Sequence, residues 1–141
     1  MPAQLSWYLD SHVLYLQLTG VMTSDTLSKI CDSSLEILNA RNRPVHFIID
    51  AQRLASLPQE SGPLRSSMTK LLSHKNMGWG IMVTKNLMFQ AMMNRTVYGV
   101  TDRWGYVGSL SEAADTLRRT NVALPLIPSS ASTTSAIAHA R

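Results

Sequence analysis

Residues 45–63 read VHFIIDAQRLASLPQESGP, an apolar run that ends on Asp50 and is followed by a polar stretch closing on Ser-Gly-Pro. The run VHFII, residues 45–49, shows no alternation, which is the pattern of a strand buried on both faces by flanking helices. The polar stretch predicts a long loop from Ala51. It leads to a helix that Ser61 caps and whose first turn holds Pro63, a residue tolerated there because no amide is needed. Leu64, Met68, Leu71 and Leu72 give that helix an apolar stripe.

The same signals extend outward in both directions. Upstream, SWYL (6–9) and VLYLQL (13–18) flank Asp10-Ser11-His12, two strands joined by a tight turn, with Gly20 expected to end the second. Leu14, Leu16 and Leu18 alternate with Val13, Tyr15 and Gln17, so one face of that strand is wholly aliphatic. Thr23-Ser24-Asp25 is a helix start, and Leu27, Ile30, Cys31, Ser34, Leu35 and Leu38 fall on one helical stripe. Pro44 requires that helix to end near Asn39 to Asn42.

Downstream, GWGIMVT (78–84) is a further buried strand, and Asn86 caps a helix over 87–98. WGYV (104–107) is a short last strand. Ser109-Leu110-Ser111-Glu112 then fits a capping box, ahead of a helix with a narrow stripe of Leu110, Ala113, Ala114 and Leu117. The order is β-β-α-β-α-β-α-β-α. It predicts an α/β domain over 1–120 with a mixed, mainly parallel sheet of about five strands, four helices and an antiparallel edge hairpin. Residues 121–141 turn rich in Ser, Thr and Ala and are expected to be a disordered tail, with Leu124 to Ile127 able to dock on the domain or a partner.

Composition excludes several function classes. No apolar run approaches the ~20 residues of a membrane span, and MPAQLSW lacks the basic-then-apolar order of a signal peptide, so a cytoplasmic location is expected. One cysteine rules out an internal disulfide and a multi-cysteine zinc site. Four bases face six acids in residues 1–60, whereas nine bases face three acids in 61–141. Those bases are scattered singly along helix faces, without aromatic interleaving, so a solvated surface and not nucleic-acid binding is expected.

Ligands of such sheets gather beyond the carboxyl ends of the parallel strands, here Asp50 to Ser61, Thr84 to Asn86 and Val107 to Ser111. The helix starts at Ser61, Asn86 and Ser109 favour an anion or a phosphorylated side chain there. Catalysis is poorly supported. There is no G-x-S-x-G elbow, Cys31 lies on a helix's apolar stripe, and His12, His46, His74 and His139 have no metal-binding spacing. Gly78-Trp79-Gly80 precedes its strand, unlike a phosphate loop, and the methionines between Met88 and Met93 read as core or as an adaptable partner surface. Asp50 reads as a strand-end carboxylate accepting loop amides.

With the element order, Ile48-Ile49-Asp50 and Ser61-Gly62 on the page, residues 6–120 resemble the STAS fold of anti-sigma-factor antagonists, especially its divergent SpoIIAA-like branch. In the antagonists a strand-end Asp leads to Asp-Ser-Ser-Gly, and the serine before the glycine is phosphorylated by an anti-sigma kinase. The resemblance implies that Asp50 is the strand-end acid and Ser61 the candidate phosphosite, with one loop residue inserted. Gln59 and Glu60 stand where the motif has Asp and Ser, and Pro63 stiffens the helix start.

The resemblance implies a non-catalytic regulatory protein-interaction module of signal transduction or transcription control, without a cofactor or metal. Its protein partner is a kinase or anti-sigma-like factor, bound at a rim of Asp50, Arg53, Ser56, Glu60, Ser61, Gly62 and Arg65; a homodimer is compatible with it. The alternative is a small-ligand or lipid-sensing domain of the same fold, with an anionic or lipid ligand lined by the Met-rich third helix. An enzyme would have only Asp50, Arg53, Ser56, Glu60 and Ser61 in position, and no general base is readable among them.

Overall fold

The computed structural model describes residues 3–59 and 62–120. Its elements follow the predicted order: β1 (Ala3–Leu9), β2 (Val13–Val21), α1 (Ser24–Asn39), β3 (Val45–Ser56), α2 (Gly62–Leu72), β4 (Met77–Val83), α3 (Leu87–Val97), β5 (Trp104–Val107) and α4 (Leu110–Thr120). The five strands lie in the sheet in sequence order, β1 antiparallel to β2 and every later neighbour parallel.

That order dictates where the helices go. Three successive right-handed crossovers that all step the same way across a sheet place their helices on one face. Accordingly α1, α2 and α3 share a core with Leu14, Leu16 and Leu18, the aliphatic face predicted for β2. The helix after the last strand is free of this constraint. α4 covers the opposite face, where Ala113, Ala114 and Leu117 pack with Tyr8, Val13, Tyr15, Ile48, Ile81 and Val83. The two alanines keep α4 close to the strands.

Helix starts follow the sequence signals. Thr23 accepts the Thr26 amide at 3.1 Å, and Asn86 Oδ1 accepts the amides of Met88 and Phe89 at 2.9 and 3.1 Å. Ser109 Oγ accepts the Glu112 amide at 3.2 Å, but Glu112 receives the Ser109 hydroxyl instead of its amide, a variant of the predicted box. Pro63 does sit in the first turn of α2. The predicted cap Ser61, its neighbour Glu60 and the tail 121–141 with Leu124 to Ile127 lie outside the described residues.

The structure corrects the sequence reading in three places. β1 begins at Ala3, ahead of SWYL. Gly20 does not end β2, which runs through Val21; Gly20 takes φ +71 beside a register shift, a conformation glycine adopts without a Cβ penalty. Above all, β3 continues past Asp50 to Ser56, so the loop expected from Ala51 starts only after Ser56. In α1 the buried face is Leu27, Cys31, Ser34, Ile37 and Leu38, with Ile30 and Leu35 only half-buried.

Candidate functional site

The extension of β3 depends on a bulge at its centre. Gln17 of β2 pairs with Asp50, but Thr19 pairs with Arg53, so Ala51 and Gln52 together face one residue of β2. A bulge leaves an amide without a ladder partner. Asp50 supplies one: its Oδ1 accepts the Gln52 amide at 3.0 Å and the Gln52 side-chain amide at 3.1 Å. Its Oδ2 accepts the hydroxyl of Tyr15 from β2. Asp50 is thus 5% exposed, inside the sheet and not at a strand end, and both of its oxygens are occupied.

Tyr15 is held as a hydroxyl donor. Burial pushes its phenol well above the usual tyrosine range, and the hydrogen bond and charge of Asp50 push the same way, while Arg53 partly opposes them. The Tyr8 ring lies 6.2 Å from that of Tyr15 on the same face. Burial raises its phenol too, against the pull of Arg118 from α4.

Arg53 follows the bulge, is exposed, and acts on Tyr15, so it belongs to the sheet face that α4 covers. Ser56 ends β3 half-buried, its carbonyl accepting the Met22 amide at 3.0 Å. Gly62 and Arg65 are exposed at the start of α2, over the other face. Ser24 Oγ approaches the Gln59 carbonyl at 3.5 Å, which sets the connection to α2 beside the start of α1. The described residues of the predicted rim are divided between the two faces of the sheet, Arg53 on the α4 side and Gly62 and Arg65 on the other. Arg53, Gly62 and Arg65 face solvent, whereas Asp50 is buried within the sheet against Tyr15; Glu60 and Ser61 are among the residues not described.

The remaining reactive side chains have structural roles. The Cys31 thiol is buried on α1, and burial with Asp32 nearby pushes it up to about 12, so it is not a ready nucleophile. His46 is 3% exposed, and its Nδ1 accepts the Trp79 amide at 2.8 Å. Burial, with His12 and Arg103 adding to it, lowers His46 to about 4. His74 Nδ1 accepts the Asn76 amide at 3.0 Å and its Nε2 meets Asn39 Oδ1 at 2.8 Å, which fixes the Nε2–H tautomer. The Asn76 side chain in turn donates to the Leu38 and Arg41 carbonyls at 3.0 and 2.8 Å, tying the end of α1 to the approach to β4. Among the described residues no group of three or more His, Cys, Asp or Glu is placed to hold a metal. No described helix is long and apolar enough to cross a membrane.

Sequence reasoning missed Tyr15 and Gln52 as partners of Asp50. It also missed the His46–Trp79 clasp. The available signal was the odd polar pair on the non-leucine face of β2, Tyr15 and Gln17, opposite a strand carrying one acid. What it lacked was the parallel register.

No family model matches the chain, and no curated protein matches it significantly. Solved structures do. The anti-sigma factor antagonist SpoIIAA in its unphosphorylated form is 18% identical with a TM-score of 0.54, over 82% of this chain and 97% of that one. Bacillus SpoIIAA in the phosphorylated form is 16% identical with a TM-score of 0.55, over 82% and 99%. An uncharacterised protein of the DUF3478 family from Shewanella loihica, itself with a SpoIIAA-like fold, is 15% identical with a TM-score of 0.57, over 82% and 91%. At such identities the likeness is one of architecture: five strands, mostly parallel, with four helices, the STAS fold in its SpoIIAA-like form.

Proposed function

We propose that this chain is a non-catalytic regulatory module that binds a protein partner, a kinase or anti-sigma-like factor, through the carboxyl end of β3 and the start of α2. Arg53, Ser56, Ser61, Gly62 and Arg65 form the contact, with Asp50 bracing the bulge in β3 and Glu60 at its centre in sequence. The observation that carries this reading is the bulge locked by Asp50, which holds the end of β3 in one geometry next to the exposed start of α2. The exposed Arg53 at the end of β3 and the exposed Gly62 and Arg65 at the start of α2 offer a surface suited to recognition by a partner. The fold likeness to SpoIIAA, known in phosphorylated and unphosphorylated forms, supports a phosphate switch at Ser61. A phosphate there adds about −1.5 to −2 charges, which would break a packed contact.

Phosphorylation in a kinase-active extract of the native host, followed by site mapping, tests this. One phosphate at Ser61 is expected; labelling undiminished in Ser61→Ala refutes the switch. A second reading, a small-ligand domain, is favoured by an apolar cleft between α2 and α3.

A further inference from the structure

We propose that the cleft between α2 and α3 is a binding site for a single-chain alkyl carboxylate, its chain laid over methionines and its head group held by Arg95. The proposal rests on the second reading above, the small-ligand domain, and names its ligand class; it does not depend on the partner rim or on Ser61.

α1 and α2 pack along much of their length, whereas α2 and α3 touch at few positions. The gap left between them is an open cleft of about 520 Å³, inside the ~300–1,000 Å³ range of small-molecule sites. Its walls are Leu64 and Met68 of α2 and Met88 and Met92 of α3, with Leu57 at the base. Met68 and Met93 also line an inner apolar gap of about 60 Å³ that reaches Met82 and Trp104 beneath the helices. That inner space admits the end of one chain and nothing bulkier. Methionine is unbranched and flexible, so a wall built from it adjusts to a chain of variable length.

The mouth carries the specificity. Met88 is 69% and the adjoining Leu87 77% exposed, an apolar lip on the solvent side. Among the described lining residues Arg95 is the one charged group, on the same face of α3 as Met88 and Met92, and no acid accompanies it. Arg95 is exposed and lines the cleft, an arrangement open to a side chain whose aliphatic stem covers apolar surface while its charged end stays in water. An apolar trough ending at a cation matches an alkyl chain ending in an anion. A planar carboxylate suits the guanidinium fork in two-point contact. A cationic amphiphile would meet like charge there.

Calorimetric titration of the full chain with octanoate, decanoate and dodecanoate, each below its micelle concentration, tests the site. Affinity should rise about fourfold per added methylene, and dodecanol should bind more weakly than dodecanoate. Arg95→Glu should weaken dodecanoate about tenfold or more while leaving dodecanol unchanged. Met88→Asp should weaken both. Both changes are at exposed positions, and circular dichroism of each variant verifies that it is folded. Affinity independent of chain length, equal binding of alcohol and acid, or an Arg95→Glu variant that binds dodecanoate normally would overturn the proposal. So would association with anionic phosphatidylglycerol vesicles without any binding of the monomeric acids, which would assign the apolar lip to a membrane surface.

Discussion

The hydroxyl of Tyr15 on β2 donates to the carboxyl of Asp50 on β3, and the other oxygen of that carboxyl closes the bulge at Gln52. One buried side chain therefore joins two strands and holds the third residue of an irregular ladder. Tyr15→Phe leaves Asp50 buried with one donor fewer, and the expected loss of stability is about 1–3 kcal/mol. Tyr15→Phe, Asp50→Asn and the double variant, compared by urea unfolding, should show a coupling clearly different from zero; strict additivity would mean that the pair does not act as a unit.

Acid should unfold the protein partly through His46. Its folded value of about 4 lies below the ordinary 6.5, so the unfolded chain takes up a proton that the folded one refuses. Stability from this group is fully present above pH 6.5, declines as pH falls, and is lost below about 4, a difference on the order of 3 kcal/mol. His12 and Arg103 both oppose a positive His46 from neighbouring elements. His46→Gln should be less stable at pH 7 yet lose less between pH 6.5 and 4. Parallel pH profiles for the two proteins would contradict this origin.

Two glycines should respond in opposite ways to alanine. At Gly78 a Cβ would stand 2.4 Å from His46 Nδ1, on a ring already fixed by the Trp79 amide. Gly78→Ala should cost about 1–3 kcal/mol through forced displacement. At Gly62, the first residue of α2, a Cβ would meet nothing within 4 Å. Gly62→Ala should be neutral or stabilising by up to about 1 kcal/mol. Thermal unfolding of both variants reads the contrast directly.

Cys31 should react only through opening of the structure. With its thiol buried and pushed up to about 12, labelling by a disulfide reagent at pH 8 should be slow and should accelerate in step with urea-induced unfolding. Rapid labelling of the native protein would show that the seam of α1 opens locally.

Much of the fold was legible because it is written in local periodicity and capping. The leucines of β2 announced a wholly aliphatic face, which the structure shows three helices covering, Asn86 and Ser109 announced two helix starts, and the alternation of elements announced the mainly parallel sheet. The end of β3 was not legible, because the bulge at Ala51 and Gln52 interrupts the period of two by which a strand is recognised. A polar AQRLAS segment with no visible alternation reads as loop.

The candidate site was half legible for the same reason. Arg53, Gly62 and Arg65, expected on the surface, are exposed, whereas Asp50, expected at a strand end, is buried inside the sheet. The sequence by itself determined which elements form and their order, because both follow from local periodicity and capping. The strand order within the sheet, and with it the face each helix covers, was decided by the tertiary structure. Only the tertiary structure decided that Tyr15 meets Asp50 and that α2 and α3 part to leave a cleft. Both depend on the register and spacing of segments 35 or more residues apart or on separate helices, which packing sets and local propensity does not encode.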